Sequence, residues 1–97
     1  MKLLKKSKMD INKIRIFGSF DCPSCLRLMR HLKREKIKFQ YIDAFANEKQ
    51  KLCDENDIDE LPHIQILNKK KEIIREYSPS YIEYVGIGKI IEDIKSL

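Results

Sequence analysis

Two cysteines three residues apart, Cys22 and Cys25, lie where the chain changes from a strand pattern to a helix pattern. The apolar run 14–17 is typical of a short strand, and residues 26–36 have the apolar spacing of a helix. Cys22 is therefore expected at a helix N-terminus, where unpaired N–H groups and the macrodipole favour negative charge. That position favours the thiolate, the attacking species in disulfide exchange. The Cys-Pro-Ser-Cys motif predicts a redox-active dithiol whose second thiol closes a disulfide and releases the partner.

The composition is that of one ordinary folded domain. The chain has 97 residues, 42% hydrophobic and 36% charged, which is enough for a small core and unlike a disordered protein. No segment approaches the roughly 18 apolar residues of a membrane span, and the basic start has no apolar core of a signal peptide. Three cysteines are too few for a secreted disulfide scaffold. We expect a cytoplasmic protein without membrane association.

The net charge of +5 is concentrated at the N-terminus. Residues 1–13 contain five lysines and a single acid, Asp10, and therefore carry +4 of that charge. We interpret residues 1–10 as a basic tail that need not be ordered, and residues 11–97 as a single domain. A tail of this kind could contact nucleic acid or anionic lipid, but no interleaved aromatic and basic residues support nucleic-acid recognition. We expect a solvated terminus and no nucleic-acid partner.

The rest of the chain alternates strands and helices. The link between the first helix and the second strand is short, which predicts a right-handed crossover with parallel strands. Lys69-Lys70-Lys71 is expected to be the turn of an antiparallel hairpin. The predicted elements are strand 11–17, helix 23–36, strand 39–43, helix 47–57, strand 64–67 and strand 72–77.

The C-terminal segment has helical apolar spacing that two glycines interrupt. Gly86 and Gly88 each disfavour a helix by about 1 kcal/mol relative to alanine. The pattern predicts a helix from about Lys89, with a kinked extension or a loop over residues 80–88. The whole chain is thus predicted to be an α/β protein with a four-stranded mixed sheet, βαβ followed by a hairpin, flanked by about three helices.

This order of elements, with Cys-x-x-Cys opening the first helix, resembles the thioredoxin fold at glutaredoxin size. A second match is Glu60-Leu61-Pro62, immediately before the third predicted strand. In that superfamily a proline at this place has a cis peptide bond and faces the two cysteines. The resemblance implies that the exposed backbone of Leu61 pairs with an extended substrate strand and holds its sulfur near Cys22. It covers nearly all of the chain from Ile14 onward.

The motifs fit the superfamily better than either of its two main branches. Glutaredoxins prefer an aromatic residue where this chain has Ser24 and a lysine where it has Ser19. Their glutathione-binding glycine pair and acid have no clear counterpart in residues 77–81. Thioredoxins have a tryptophan where this chain has Asp21 and a buried acid where it has Ile16.

The resemblance implies a thiol–disulfide oxidoreductase acting on protein disulfides or glutathione mixed disulfides. Cys22 is the expected nucleophile and Cys25 the expected resolving thiol, while Leu61 and Pro62 bind the substrate backbone. Glutathione or a dedicated reductase is the expected electron donor. No tightly bound cofactor is expected, and the protein is predicted to be a monomer.

A different class of function remains open. A thioredoxin-fold module could bind a partner protein or a metal centre without turnover, for example an iron–sulfur cluster that two copies share through Cys22. Zinc could use Cys22 and Cys25 with Cys53 or His63 as further ligands, but no second Cys-x-x-Cys or His-x-x-x-His supports it.

The remaining chemistry-bearing side chains have simpler interpretations. We expect Cys53 to be buried on the second helix, with a regulatory or glutathionylation site as the alternative. His31 is expected at the surface among basic residues, and the His63 side chain could reach the active-site face. The tyrosines are predicted to pack at the edges of the core, at positions 41, 77, 81 and 84.

Overall fold

The predicted alternation of strands and helices is present in the computed structural model, which describes residues 11–97. The basic tail proposed for residues 1–10 lies outside the described residues, so that domain boundary stays a prediction. The described residues form four strands and four α-helices, where about three helices were expected. The elements are β1 Lys13–Gly18, α1 Pro23–Arg34, β2 Gln40–Asp43, α2 Gln50–Glu55, β3 His63–Leu67, β4 Ile73–Tyr77, α3 Pro79–Val85 and α4 Ile87–Ser96.

The four strands form one mixed sheet in the order β2-β1-β3-β4. Strands β1 and β2 are parallel, as the short crossover predicts, whereas β1–β3 and β3–β4 are antiparallel. The fold class is therefore confirmed. One row of side chains crosses all four strands and ends in a tyrosine at each edge of the sheet. This tyrosine row consists of Tyr41, Ile16, Ile64 and Tyr77.

The two faces of the sheet carry different cores, because side chains alternate along each strand. Ile14 and Ile16 of β1 belong to the larger cluster, which α1, α3 and α4 cover. Phe17 belongs to a smaller cluster with Ile42 and Cys53, on the face that α2 covers. None of the helices between residues 11 and 97 combines the length and apolar character that a bilayer crossing requires.

The C-terminal segment is a pair of helices broken at Gly86, so the kinked extension is correct and the loop is not. Gly86 has φ +89°, a conformation that side-chain-bearing residues rarely adopt. Its N–H donates to the Ile82 carbonyl at 2.8 Å and closes α3. Gly88 lies inside α4, which begins at Ile87, two residues earlier than predicted.

Helix boundaries differ from the prediction where the backbone turns left-handed. Helix α1 ends at Arg34 because Lys36 has φ +59°, and α2 ends at Glu55, just before Asp57 with φ +54°. The first residues of the second predicted helix, Asn47–Lys49, form a 3₁₀ turn. These shifts shorten both helices without changing their order.

Candidate active site

Cys22 is the N-cap residue of α1, where the sequence predicts it. Its backbone is extended, and Pro23 occupies the first turn, where a missing N–H has no cost. The backbone N–H of Cys25 donates to the Cys22 sulfur at 3.1 Å. The sulfur thus occupies the place of a capping oxygen, where an N–H group and the helix dipole favour negative charge.

Cys22 and Cys25 form a disulfide, with their Cα atoms 5.2 Å apart. Cys25 is completely buried, whereas Cys22 is only partly buried. The two sulfurs therefore differ in access. A substrate can approach Cys22 from solvent, while Cys25 can react only with a neighbour inside the protein.

Gly18 allows α1 to begin this close to the sheet. A Cβ atom at Gly18 would lie 2.9 Å from Cε1 of Tyr41 and 3.2 Å from Cβ of Cys25. Contacts this short do not occur around real Cβ atoms without displacement of a neighbour. Neither Gly18 nor Tyr41 was recognised from the sequence as part of the site, although a glycine directly after a strand and before Cys-x-x-Cys is a signal of close approach.

The Leu61–Pro62 peptide bond is cis, as the resemblance implies. Both residues line a groove of about 490 Å³ next to the start of α1, together with Ser24 from between the two cysteines. The structure therefore brings the cis-proline segment and the dithiol turn to the same end of the molecule. The other lining residues are Arg27 and His31 of α1 and Pro79, Ile82, Glu83, Gly86 and Ile87 of the C-terminal helices.

The two walls of this groove carry opposite charge. Arg27 and His31 lie on the α1 wall, and Glu83 lies on the α3 wall. His31 was expected to be a solvated surface side chain, but it is half-buried in this wall. The sequence pattern missed it because α3 folds back beside α1, which no local feature of α1 indicates.

His63 points away from the dithiol. Its ring lies edge-on to Phe17, with centroids 6.3 Å apart, on the sheet face that α1 does not cover. Its Nε2 is 2.6 Å from Oε2 of Glu76. The idea that His63 reaches the active-site face is therefore wrong, because strand alternation sends its side chain to the opposite side.

A polar network continues from His63 across the same face. Gln65 is completely buried, accepts from Arg15 at 2.6 Å and donates to Oε2 of Glu76 at 3.0 Å. Burial alone would raise the pKa of Glu76, but hydrogen bonds from Gln65 and His63, with the charges of His63 and Arg15, outweigh burial and lower it. The network lies on the sheet face opposite α1, and its hydrogen bonds among the described residues do not include Cys22 or Cys25.

Cys53 is buried beside Phe17 and Ile42, as predicted. Burial, and secondarily the charge of Asp54, raise the pKa of its thiol. Its cluster lies on the sheet face opposite α1, so the structure does not join Cys53 to Cys22 and Cys25. Within residues 11–97, no group of three or more His, Cys, Asp or Glu side chains is placed to hold a metal ion. The zinc set that includes Cys53 or His63 is therefore not assembled.

The tyrosines divide between core and surface. Tyr77 is buried, Tyr41 is half-buried, and Tyr81 stacks on Tyr77 with centroids 6.0 Å apart. Tyr84 is 86% exposed, so packing at the core edge is wrong for this residue.

Comparison with known proteins gives likenesses of structure only. No protein-family model and no curated protein sequence matches the chain. Thioredoxin 1 of the thermophilic eubacterium Thermosipho africanus superposes with a TM-score of 0.62 at 21% identity, over 87% of this chain and 96% of that one. Thioredoxin f of spinach chloroplast gives 0.68 at 16% identity, over 97% and 81%. A Schistosoma mansoni thioredoxin gives 0.66 at 19% identity, over 97% and 85%.

Three observations together define the class of protein: the sheet order, the cysteine pair at the start of the first helix, and these superpositions. This is an α/β protein of the thioredoxin fold, with a Cys22–Cys25 pair at the start of its first helix. The particular branch within that fold is not distinguished by likenesses of 21% identity or less.

Proposed function

We propose that this protein is a thiol–disulfide oxidoreductase in which Cys22 is the nucleophile and Cys25 the resolving thiol. The observation that carries the proposal is the geometry at the start of α1. The Cys22 sulfur accepts the Cys25 N–H at 3.1 Å and is bonded to a fully buried partner sulfur. An accessible thiolate stabilised at a helix N-terminus, beside a protected second thiol, is what disulfide exchange requires.

The reaction proceeds in two exchanges. In the reduced protein the Cys22 thiolate attacks a substrate disulfide, forms a mixed disulfide and releases the first substrate thiolate. The Cys25 thiol then loses its proton and attacks the Cys22 sulfur, which breaks the mixed disulfide and releases the second substrate thiolate. Two electrons have passed to the substrate, and the Cys22–Cys25 disulfide is left for a donor thiol to reduce.

The groove beside the dithiol supports substrate binding at Leu61 and Pro62. Both line it, and Leu61 is only partly buried, which supports pairing of its backbone with an extended peptide. Ser24 and Arg27 form the adjoining wall. We propose that a substrate strand lies along Leu61 and directs its disulfide towards Cys22.

The physiological donor is proposed to be glutathione or a dedicated reductase. One of the similar structures is a thioredoxin f2 in complex with ferredoxin:thioredoxin reductase, 17% identical to this chain. This is a property of that protein, and it supports a reductase as donor here by analogy only. Monomeric state and cytoplasmic location stay predictions.

The proposal is tested by oxidising, reducing and alkylating the purified chain, then weighing it. We expect two more alkylated thiols after reduction than after oxidation, and peptide mapping should assign both to Cys22 and Cys25. Cys22→Ser should abolish reduction of a protein disulfide, whereas Cys53→Ser should retain it. Absence of a Cys22–Cys25 disulfide, or full activity in Cys22→Ser, would refute the enzyme and favour the non-catalytic binding module.

A second assay separates the two donor systems. The rate of reduction of a mixed glutathione disulfide is compared with that of a protein disulfide, each with glutathione or a thioredoxin-type reductase as donor. Faster turnover of the mixed disulfide with glutathione would indicate glutaredoxin-type activity. Faster turnover of the protein disulfide with the reductase would indicate thioredoxin-type activity.

A further inference from the structure

The hydroxyl of Tyr41 is buried beneath α1 without a hydrogen-bond partner. Burial, and secondarily the charge of Asp43, raise the pKa of Tyr41, so the phenol stays protonated and has a hydrogen to donate. A buried donor without an acceptor costs about 1–3 kcal/mol of stability. Such a hydroxyl can donate to any acceptor that another state of the protein brings within reach.

Cys25 is a chemically active neighbour of this hydroxyl. A Cβ atom at Gly18 would lie 3.0 Å from the hydroxyl oxygen of Tyr41 and 3.2 Å from Cβ of Cys25. Gly18 has no side chain, so no side-chain atom of β1 separates the phenol from the resolving cysteine at this point. The next residue of β1 on the same face is Ile16, which is completely buried and has no polar atom to offer.

Cys25 needs a hydrogen-bond donor in the second exchange. It is completely buried, and burial disfavours a thiolate. The hydrogen bonds found within residues 11–97 include none that its sulfur accepts, whereas the Cys22 sulfur accepts the Cys25 N–H. The nucleophile of the first exchange is thus stabilised by the helix N-terminus, and that of the second is not.

We propose that Tyr41 donates a hydrogen bond to the Cys25 sulfur once the disulfide has opened. The inference rests on the proposed function. In the step concerned, the Cys25 proton passes to solvent or to the departing substrate thiolate, the Cys22–Cys25 bond forms and the Cys22–substrate bond breaks. Tyr41 retains its proton throughout and stabilises the charge on the attacking sulfur.

The chain contains a matched control at the other end of the tyrosine row. Tyr77 also has a buried hydroxyl with no partner at hydrogen-bond distance; burial and then the charge of Asp93 raise its pKa, and the nearby Arg75 offsets part of the rise. It lies on β4, three strands from β2, which is about 14 Å at the usual spacing of about 4.8 Å. Tyr77→Phe removes the same group from the same sheet face without touching the dithiol.

The two exchanges can be timed separately with dithiobis-nitrobenzoate and the reduced protein in a stopped-flow instrument. Attack by Cys22 releases the first coloured thiolate, and attack by Cys25 releases the second. Cys53 is buried with a raised thiol pKa and should react far more slowly. We expect Tyr41→Phe to slow the second release roughly tenfold, the value of one hydrogen bond to a charged group, and to leave the first unchanged. Tyr77→Phe should change neither.

The pH profile separates an electrostatic role from a packing role. The titratable and charged groups around Tyr41 are Cys25, Asp43 and three lysines of a second groove, which Tyr41 itself lines: Lys33, Lys36 and Lys38. The second release in Tyr41→Phe should approach the wild-type rate at alkaline pH, where Cys25 ionises without help. If the ratio of the wild-type rate to the Tyr41→Phe rate of the second release were the same at all pH values, the proposal would be overturned. A displaced α1, unlike a lost hydrogen bond, would slow the release equally at every pH.

Each remaining outcome has a distinct meaning. A wild-type protein that releases only one thiolate refutes the proposed function itself. A normal second release in Tyr41→Phe, or an equal slowing in Tyr77→Phe, refutes the role of Tyr41 alone. A measurement without mutation provides a further check: on reduction, the hydroxyl proton resonance of Tyr41 should shift and that of Tyr77 should not. Unchanged resonances for both would contradict the proposal.

Discussion

Cys22 and Cys53 are the same residue type on opposite sides of one sheet, and the structure gives them opposite surroundings. Cys22 is partly exposed at the N-cap of α1, and a backbone N–H reaches its sulfur. Cys53 is buried in the interior of α2 against Phe17, with its thiol pKa raised. Reactivity here depends on whether a cysteine lies at a helix start or inside a helix, more than on the residue itself.

The same contrast extends to the surroundings of the two cysteines. The face with Cys22 and Cys25 has an apolar core beside an open groove, and the polar groups described near the two sulfurs are the N-terminus of α1 and the Tyr41 hydroxyl. The face with Cys53 has a buried amide, Gln65, and a contact of 2.6 Å between His63 Nε2 and Glu76 Oε2. Its polar groups hydrogen-bond one another and lie across the sheet from Cys22 and Cys25.

The largest expected effect is a difference in alkylation rate between the two cysteines. In the reduced native protein, iodoacetamide should modify Cys22 at least about a hundredfold faster than Cys53, because Cys22 combines access with thiolate stabilisation. Mass spectrometry of peptides from a timed reaction measures both rates in one sample. In denaturant the two rates should become similar. Comparable rates in the native state would remove the basis of the comparison.

The dithiol was predictable because its signal is local. A strand pattern, two cysteines and a helix pattern follow one another within 23 residues, from Ile14 to Lys36, and helix-terminus physics needs nothing more distant. The cis bond before Pro62 was predictable only from the resemblance. The opposite direction of His63 follows from strand alternation, but only once the strand is known to begin at His63 rather than Ile64.

The supporting residues could not be predicted, since they depend on strand register and helix packing. Tyr41 lies beside Gly18 and Cys25 only because β2 pairs with β1 in a register that sets Tyr41 opposite Ile16. A shift of one residue would have turned it to the other face. The two C-terminal glycines are likewise indistinguishable in sequence, yet only Gly86 has a positive φ.

Substituting the glycine behind the dithiol should have a smaller but clear effect. Gly18→Ala inserts a Cβ atom 2.9 Å from the Tyr41 ring, and overpacking of this kind costs about 1–3 kcal/mol. Gly88→Ala is the matched control, because its Cβ meets nothing within 4 Å and it lies inside α4. It should raise the free energy of unfolding by up to about 1 kcal/mol. Urea denaturation of both variants measures the two effects.

A lower free energy of unfolding in Gly18→Ala and a higher one in Gly88→Ala would support close packing that is specific to the surroundings of the dithiol. Gly18→Ala should also slow the second thiolate release, since the new methyl group occupies the space between Tyr41 and Cys25. A Gly18→Ala protein as stable as the wild type would show that close contact between α1 and the sheet at Gly18 is not required for folding.

The smallest expected effect lies on the other face and concerns pH. The pKa of Glu76 is lowered in the folded protein, so its contribution is fully present above the ordinary glutamate value of about 4.5 and is lost as pH falls below it. Glu76→Gln should therefore flatten the decline in the free energy of unfolding below that pH, by well under about 1 kcal/mol because 40% of the Glu76 side chain is exposed and solvent screens its charge. Glu83→Gln on α3 is the control, and urea titrations at a series of pH values compare the two variants.

The reduction of protein disulfides should be the same in Glu76→Gln and the wild type, because the network of Gln65 and Glu76 lies across the sheet from Cys22. A change in that activity would mean that the two faces of the sheet are coupled, and it would contradict the view that they act independently.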